Sequence, residues 1–234
     1  MTTMMSRSVR NHKITFLNQE HLHCAHMCKN IYYRKPDLLF NKHKNKLYIS
    51  IEGTDTIINW IDNISIAMKR NDVHRGFARY ASYCMNEYDI LDILDDFDAY
   101  DKIILTGHSL GSASATLIAR ELCESYEKRG ARFHSKFELV LFGCPKIGGN
   151  SFKKEFNELV DKTGLTIYSY ENKNDIVCKI PFGFLGYTHT FLQEDTVHLE
   201  PATDTHFLDI YTNHSMNQYI ESLQETKYTK EIEN

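Results

Sequence analysis

Along the chain, apolar residues recur with two different periods. "KLYISIEGT", from Lys46, is strand-like. From Phe77 to Leu94 the apolar positions Phe77, Tyr80, Ala81, Cys84, Met85 and Tyr88 fall at helical spacing and predict a helix. "DKIILTG" reads as a short apolar strand, and a helix follows from about Leu110, with Leu110, Ala113, Leu117, Ile118 and Leu122 on one face. Next come a strand in "FELVLFG", a helix around "SFKKEFNELV", and a strand in "LTIYSY". Strands that alternate with helices predict an α/β fold, a mostly parallel central sheet with helices on both faces. No convincing internal repeat interrupts this order.

Two further helical stretches invite chemistry. "HLHCAHMC", positions 21 to 28, places His21, Cys24 and Cys28 on one face. A structural zinc site normally needs four ligands, and no second cluster follows, so a half-buried helix is expected and no metal. In "TIINWIDNIS", Ile57, Trp60, Ile61 and Ile64 form an apolar stripe opposite Asn59, Asp62 and Asn63. It is either an ordinary surface helix or a short lid helix that closes over an acyl site and opens at lipid.

The 234 residues suffice for one sizeable domain. The expectation is a single domain over 1–234, with residues 1–45 forming an N-terminal helical extension. Apolar residues make up 42% and charged residues 25%, with four prolines and no low-complexity tract, so a folded chain is expected. The net charge of -4, with both signs mixed, provides no basic stripe for a phosphate backbone and argues against nucleic acid. The opening "MTTMMSRSVRNHKITF" has no apolar segment like that of a secretory signal, and no run approaches the roughly 20 residues that span a bilayer. The expected location is the cytoplasm, with peripheral contact at lipid surfaces. Six cysteines at irregular spacing read as reduced thiols, and Cys144 as a small residue at a strand end.

At positions 105 to 112, "LTGHSLGS" sets Ser109 between Gly107 and Gly111 where a strand becomes a helix. A nucleophilic serine needs its hydroxyl held out on a tight turn whose neighbours lack side chains. The helix N-terminus that follows favours a developing oxyanion. Such a serine needs a histidine to take its proton and a carboxylate to orient the histidine. The acid candidate is Asp175, in an asparagine-rich loop just beyond "LTIYSY"; Asp195, Asp204 and Asp209 lack that setting. Of His189, His198, His206 and His214, His214 is preferred as the base because it is expected in a short polar loop, "TNHS", before a terminal helical run. His189 is the alternative.

These stretches resemble the class 3 lipases, the family of the fungal triacylglycerol lipases, from about Lys46 to Leu223. The resemblance is carried by "IEGTDTIINWIDNI", "VHRGF", "GHSLGSASAT", "FGCPKIGGNSF", "NDIVCKIP" with "GYTH" after it, and "HSMNQYIESL". It implies the α/β-hydrolase fold, with Ser109 as nucleophile, Asp175 as acid and His214 as base. The oxyanion donors it implies are Thr54, through its backbone N–H and hydroxyl, and the backbone N–H of Leu110. Under the same resemblance, His189 is structural. Glu52 stands where the family usually has a basic residue, and Ser112 where it has a glycine.

The function expected is hydrolysis of carboxylic esters of lipids through an acyl-enzyme, with no cofactor. A phospholipase or galactolipase acting on polar lipids is the rival among enzymes, and a non-catalytic scaffold on the same fold is the rival of another class. The expected partners are a lipid ester and, transiently, a membrane or lipid-droplet surface. Oligomeric state is left open.

Overall fold

A computed structural model describes residues 19–34, 37–54, 69–70, 72–128, 136–202 and 209–232. Helix α1 (Gln19–Arg34) precedes strands β1 (Leu38–His43) and β2 (Lys46–Ile51). A two-residue pair, β3 (Lys69–Arg70) and β4 (Val73–His74), leads into α2 (Arg75–Glu87). Then come β5 (Lys102–His108), α3 (Leu110–Lys128), β6 (Phe137–Phe142), α4 (Asn150–Thr163), β7 (Thr166–Asn172), β8 (Thr196–Leu199), α5 (Ile210–His214) and α6 (Met216–Ile232).

Six strands form one sheet in the order β1-β2-β5-β6-β7-β8. Only β1 and β2 run antiparallel; the other neighbours are parallel. Alternation along each strand sorts side chains onto two faces. Leu47, Ile49, Ile51, Ile103, Leu105, Leu139 and Leu141 pack with Phe77 of α2, Ile118 of α3 and Phe156 of α4. Tyr48, Ile104, Val140 and Phe142 face the other way, against Cys28 of α1 and Tyr219 and Leu223 of α6. Burying a side chain such as Leu223 contributes about 1.5–3 kcal/mol, which is what docks α6 beneath the sheet.

Two expectations are altered, and a third falls outside the described residues. Residues 1–45 do not read as a helical extension in their described part, because β1 is the edge strand of the sheet, paired along its length from Leu38–Ile51 to His43–Lys46. A tight reversal with Lys44 at φ 54 folds it back onto β2. The helix expected from Phe77 to Leu94 stops at Glu87, because Asp89 takes a left-handed conformation (φ 45) and the chain continues as a 3-10 turn over Ile90–Leu94. Finally, the lid candidates Ile57, Trp60, Ile61 and Ile64 lie outside the described residues.

Every chain reversal that matters for the site lies at the carboxyl ends of the parallel strands, where side chains from separate strands can converge. Ser109 follows β5, Gly143 follows β6, and Asp175 lies three residues beyond β7.

Candidate active site

Ser109 sits between β5 and α3 at φ 59, a left-handed conformation that costs a non-glycine residue about 1–2 kcal/mol. The turn can be this tight because Gly107 and Gly111 lie back to back: a Cβ on Gly107 would occupy the backbone of Gly111 and the Ser112 amide. The amide of Ser109 donates to the Phe142 carbonyl at 3.1 Å, which fixes the elbow to the end of β6. Its carbonyl accepts from the amides of Ser112 and Ala113, opening α3.

The expected acid, Asp175, arrives from the loop after β7 and the expected base, His214, from the end of α5. His214 Nδ1–H donates to Asp175 Oδ2 at 2.6 Å, and both side chains are 0% exposed. This fixes the tautomer that leaves His214 Nε2 as an acceptor. Burial pushes the Asp175 carboxyl up, but the charge and hydrogen bond of His214, the Tyr219 hydroxyl and the Val177 amide outweigh it and hold the pKa below the usual carboxylate value. Those last two bonds measure 2.7 Å from Tyr219 Oη to Oδ2 and 2.9 Å from the Val177 amide to Oδ1.

Gly143 supplies the space for the pair. It stands at φ 59, and a Cβ there would come within 2.8 Å of His214 Cε1 and 3.0 Å of Asp175 Oδ2. Since the residue before it, Phe142, holds the Ser109 amide, the imidazole lies within one residue of the elbow's anchor. The final link is left open: Ser109 Oγ and His214 Nε2 are both buried and neither has a hydrogen-bond partner. Nucleophile and base are often this loosely joined before substrate binds.

Beneath the base lies a second imidazole. The His108 ring packs against that of His214, with centroids 4.3 Å apart and the planes tilted by 33°. Its Nε2–H donates to the His214 carbonyl at 2.7 Å, and its Nδ1 accepts from the Tyr32 hydroxyl of α1 at 2.8 Å. Burial, reinforced by the neighbouring His214, pushes the His108 pKa down to about 3, so the ring stays neutral beside the base.

The expected oxyanion donors flank the same elbow. Leu110 opens α3, where amides have no carbonyl in a preceding turn to bond. Gly53 lies against the His108 carbonyl and the Tyr32 hydroxyl, and Gly111 against the carbonyls of Ile51 and Glu52, so the strand end leading to half-buried Thr54 passes beside the elbow.

His214 does not stand in a loop as expected but closes the short helix α5, which the Asp209 side chain caps by accepting from the Thr212 amide at 3.1 Å. His189 stays apart from the elbow, exposed, with Lys146, Lys153 and His198 as its charged neighbours. Asp195 is buried in a 3-10 turn before β8, and Asp204 and His206 fall outside the described residues. His21 and Cys28 meet the sheet instead of a metal: His21 Nδ1 accepts from the Tyr170 hydroxyl at 2.6 Å, and Cys28 Sγ lies 3.3 Å from Thr106 Oγ1. Among the described residues no group of three or more His, Cys, Asp or Glu side chains is placed to hold a metal ion. Burial pushes the Cys144 thiol up to about 12, which makes it a poor nucleophile.

Sequence reasoning missed Tyr219, Gly143, Tyr32 and the packing of His108 against His214. Only Gly143, following a strand in "LFGCP", left a local signal.

The comparisons with known proteins agree with this geometry. A family model described as "Lipase (class 3)" matches residues 48–185. The chain is 30% identical over 151 residues to a lipase of Rhizomucor miehei, a match covering 61% of this chain and 39% of that protein. It is 33% identical over 90 residues to phospholipase A1-IIdelta of Arabidopsis thaliana, covering 38% of this chain and 20% of that one. The aligned part of the chain thus spans less than half the length of either relative. In three dimensions it is similar to the Rhizomucor miehei lipase in its propeptide complex, with a TM-score of 0.66 at 22% identity, over 87% of this chain and 80% of that one.

Proposed function

Because the chain belongs to the class 3 lipase family, we propose that it hydrolyses carboxylic esters of lipids through an acyl-enzyme on Ser109. The observation that carries this reading is the buried 2.6 Å bond from His214 Nδ1 to Asp175 Oδ2, set beside a serine hydroxyl and an imidazole Nε2 that have no other partner. As Ser109 Oγ bonds to the ester carbon, its proton passes to His214 Nε2. Asp175 stabilises the imidazolium that results, and the 0% exposure of all three side chains strengthens that attraction. The carbonyl oxygen, now negative, takes hydrogen bonds from the Leu110 amide and from Thr54. The imidazolium then protonates the departing alcohol, and water repeats the sequence to release the fatty acid.

The similarity to a plant phospholipase A1 supports a second reading in which the ester belongs to a phospholipid. A scaffold role is disfavoured, because a strained serine and a buried carboxylate–imidazole hydrogen bond persist only where surrounding structure maintains them. The test is lipid mass spectrometry after incubation with acylglycerols, phospholipids, galactolipids and short soluble esters. The proposal expects fatty acid release from at least one lipid class and none from Ser109→Ala. Equal release by Ser109→Ala would refute it.

A further inference from the structure

Outside the site, the largest exposed apolar feature among the described residues is a five-residue tip. Phe182, Phe184 and Leu185 are 43%, 85% and 38% exposed, and the two phenyl rings stack with centroids 5.6 Å apart at 10°. Gly183 and Gly186 complete the tip, so the segment 182–186 offers water no polar side chain. Soluble proteins seldom present adjacent aromatic residues in this way without something to bury them.

The base of the tip is pinned. On one side the Lys146 amide donates to the Ile180 carbonyl at 2.8 Å; on the other the Thr188 amide donates to the Gly148 carbonyl at 2.9 Å. Both ends therefore attach to one short stretch, 146–148. The tip also closes its own backbone bonds, Leu185 to Phe182 at 3.0 Å and Gly186 to Gly183 at 2.8 Å. These two amides can enter a region poor in water without being left unpaired.

Cations lie near its base. Lys179 is exposed three residues before Phe182, Lys146 is joined to the base, and Lys153 on α4 acts with Lys146 on His189, which follows the tip. Among the described residues none of these three lysines forms an ion pair with a carboxylate. Lys146 and Lys179 also act on the carboxyl of Glu171, and an aromatic tip with exposed or half-buried ammonium groups near its base is complementary to a lipid surface bearing negative headgroups.

We propose that Phe182, Phe184 and Leu185 form a membrane-inserting tip, with Lys146, Lys153 and Lys179 against anionic headgroups, which docks the protein on lipid beside the loop that carries Asp175. The inference deepens the reading of the chain as a lipid hydrolase by naming the surface that reaches the substrate phase, but its test does not need turnover.

The experiment is vesicle co-sedimentation of the full chain carrying Ser109→Ala, with phosphatidylcholine vesicles with or without phosphatidylglycerol. The parent should bind the mixed vesicles more tightly. Phe182→Ser with Phe184→Ser should weaken binding to both about tenfold or more, since each ring loses its apolar partner. Lys153→Glu with Lys179→Glu should weaken binding only where phosphatidylglycerol is present. All four side chains are outside the core, so unchanged melting confirms that the variants fold. Binding by the phenylalanine variant equal to the parent's would overturn the proposal. So would a parent dimer in light scattering that the variant converts to monomer without loss of vesicle binding, since the tip would then serve a second copy of the chain. In the Ser109-intact protein, hydrolysis of a soluble short-chain ester should be the same with and without the phenylalanine changes, and that assay alone reports on the catalytic reading.

Discussion

His108 lies 4.3 Å beneath His214, ring to ring, and donates from Nε2 to the His214 backbone carbonyl at 2.7 Å. The residue before the serine therefore holds His214 in place, and Tyr32 of α1 holds His108 in turn. Because burial keeps His108 neutral, with a pKa of about 3, the contact does not repel the imidazolium when His214 takes a proton. His108→Phe should keep the ring contact but leave the His214 carbonyl without its donor, a loss of about 1–3 kcal/mol. The expected outcome is a kcat lowered about tenfold or more on a soluble ester in a protein that still folds. An unchanged kcat would make His108 a packing residue only.

Tyr219 does for Asp175 what His108 does for His214. Its hydroxyl donates to Asp175 Oδ2 at 2.7 Å and accepts from the Asn172 amide at 3.2 Å. Tyr219→Phe removes both bonds inside the core, so stability should fall by about 1–3 kcal/mol. Asp175 is held below its ordinary value, so its contribution to stability is present above the unfolded pKa and lost as the pH falls through the folded one. The variant should therefore unfold at a higher pH during acid titration. Its activity should lose the acid side of the pH profile first. Denaturant melts across acidic pH and a pH–rate profile read both effects.

Gly143 is restricted to glycine by its backbone conformation and by the side chains it faces. At φ 59 an alanine is strained, and its Cβ would press within 2.8 Å of His214 Cε1. Gly143→Ala should destabilise by about 1 kcal/mol or more and displace the imidazole, with activity reduced about a hundredfold. Thermal melting and kcat on a soluble ester separate the two effects. Near-parent activity would mean that the imidazole position tolerates more than the geometry allows.

Glu171, on β7, sets a pH dependence of stability distinct from that of Asp175. Burial pushes its carboxyl up to about 7, Asp175 adds to the rise, and Lys179 and Lys146 offset it only in part. A group whose folded pKa is raised contributes stability that is complete below the unfolded value, here 4.5, and lost as the pH rises through about 7. Glu171→Gln removes that dependence. Its Tm should exceed the parent's at about pH 8 and match it at about pH 4, and parallel curves would rule out Glu171 as the cause.

Much of the architecture was legible because alternation along short strands is a strong local signal. Leu47, Ile49 and Ile51 against Tyr48, and Phe137, Leu139 and Leu141 against Val140, announce strands buried on both faces. The elbow was legible because a serine between glycines at a strand-to-helix junction has few other uses. Strand β1 was not, since as an edge strand it leaves Phe40, Lys42 and His43 exposed and lacks a continuous apolar run. Tyr219 reads in sequence as one more apolar residue of a terminal helix, and only the fold shows its hydroxyl on Asp175. The short helix at His214 was missed for a similar reason: its cap, Asp209, is a local feature, but five residues carry too little periodicity to declare a helix.

The central claim is that Ser109 is a base-activated nucleophile, and the most direct measurement is mass-spectrometric mapping of the adduct left by a fluorophosphonate ester at neutral pH. The account predicts one adduct, on the peptide containing Ser109, forming in step with loss of esterase activity and slowed about a thousandfold or more by His214→Ala. An adduct on another residue, or esterase activity that survives in Ser109→Ala, would contradict it.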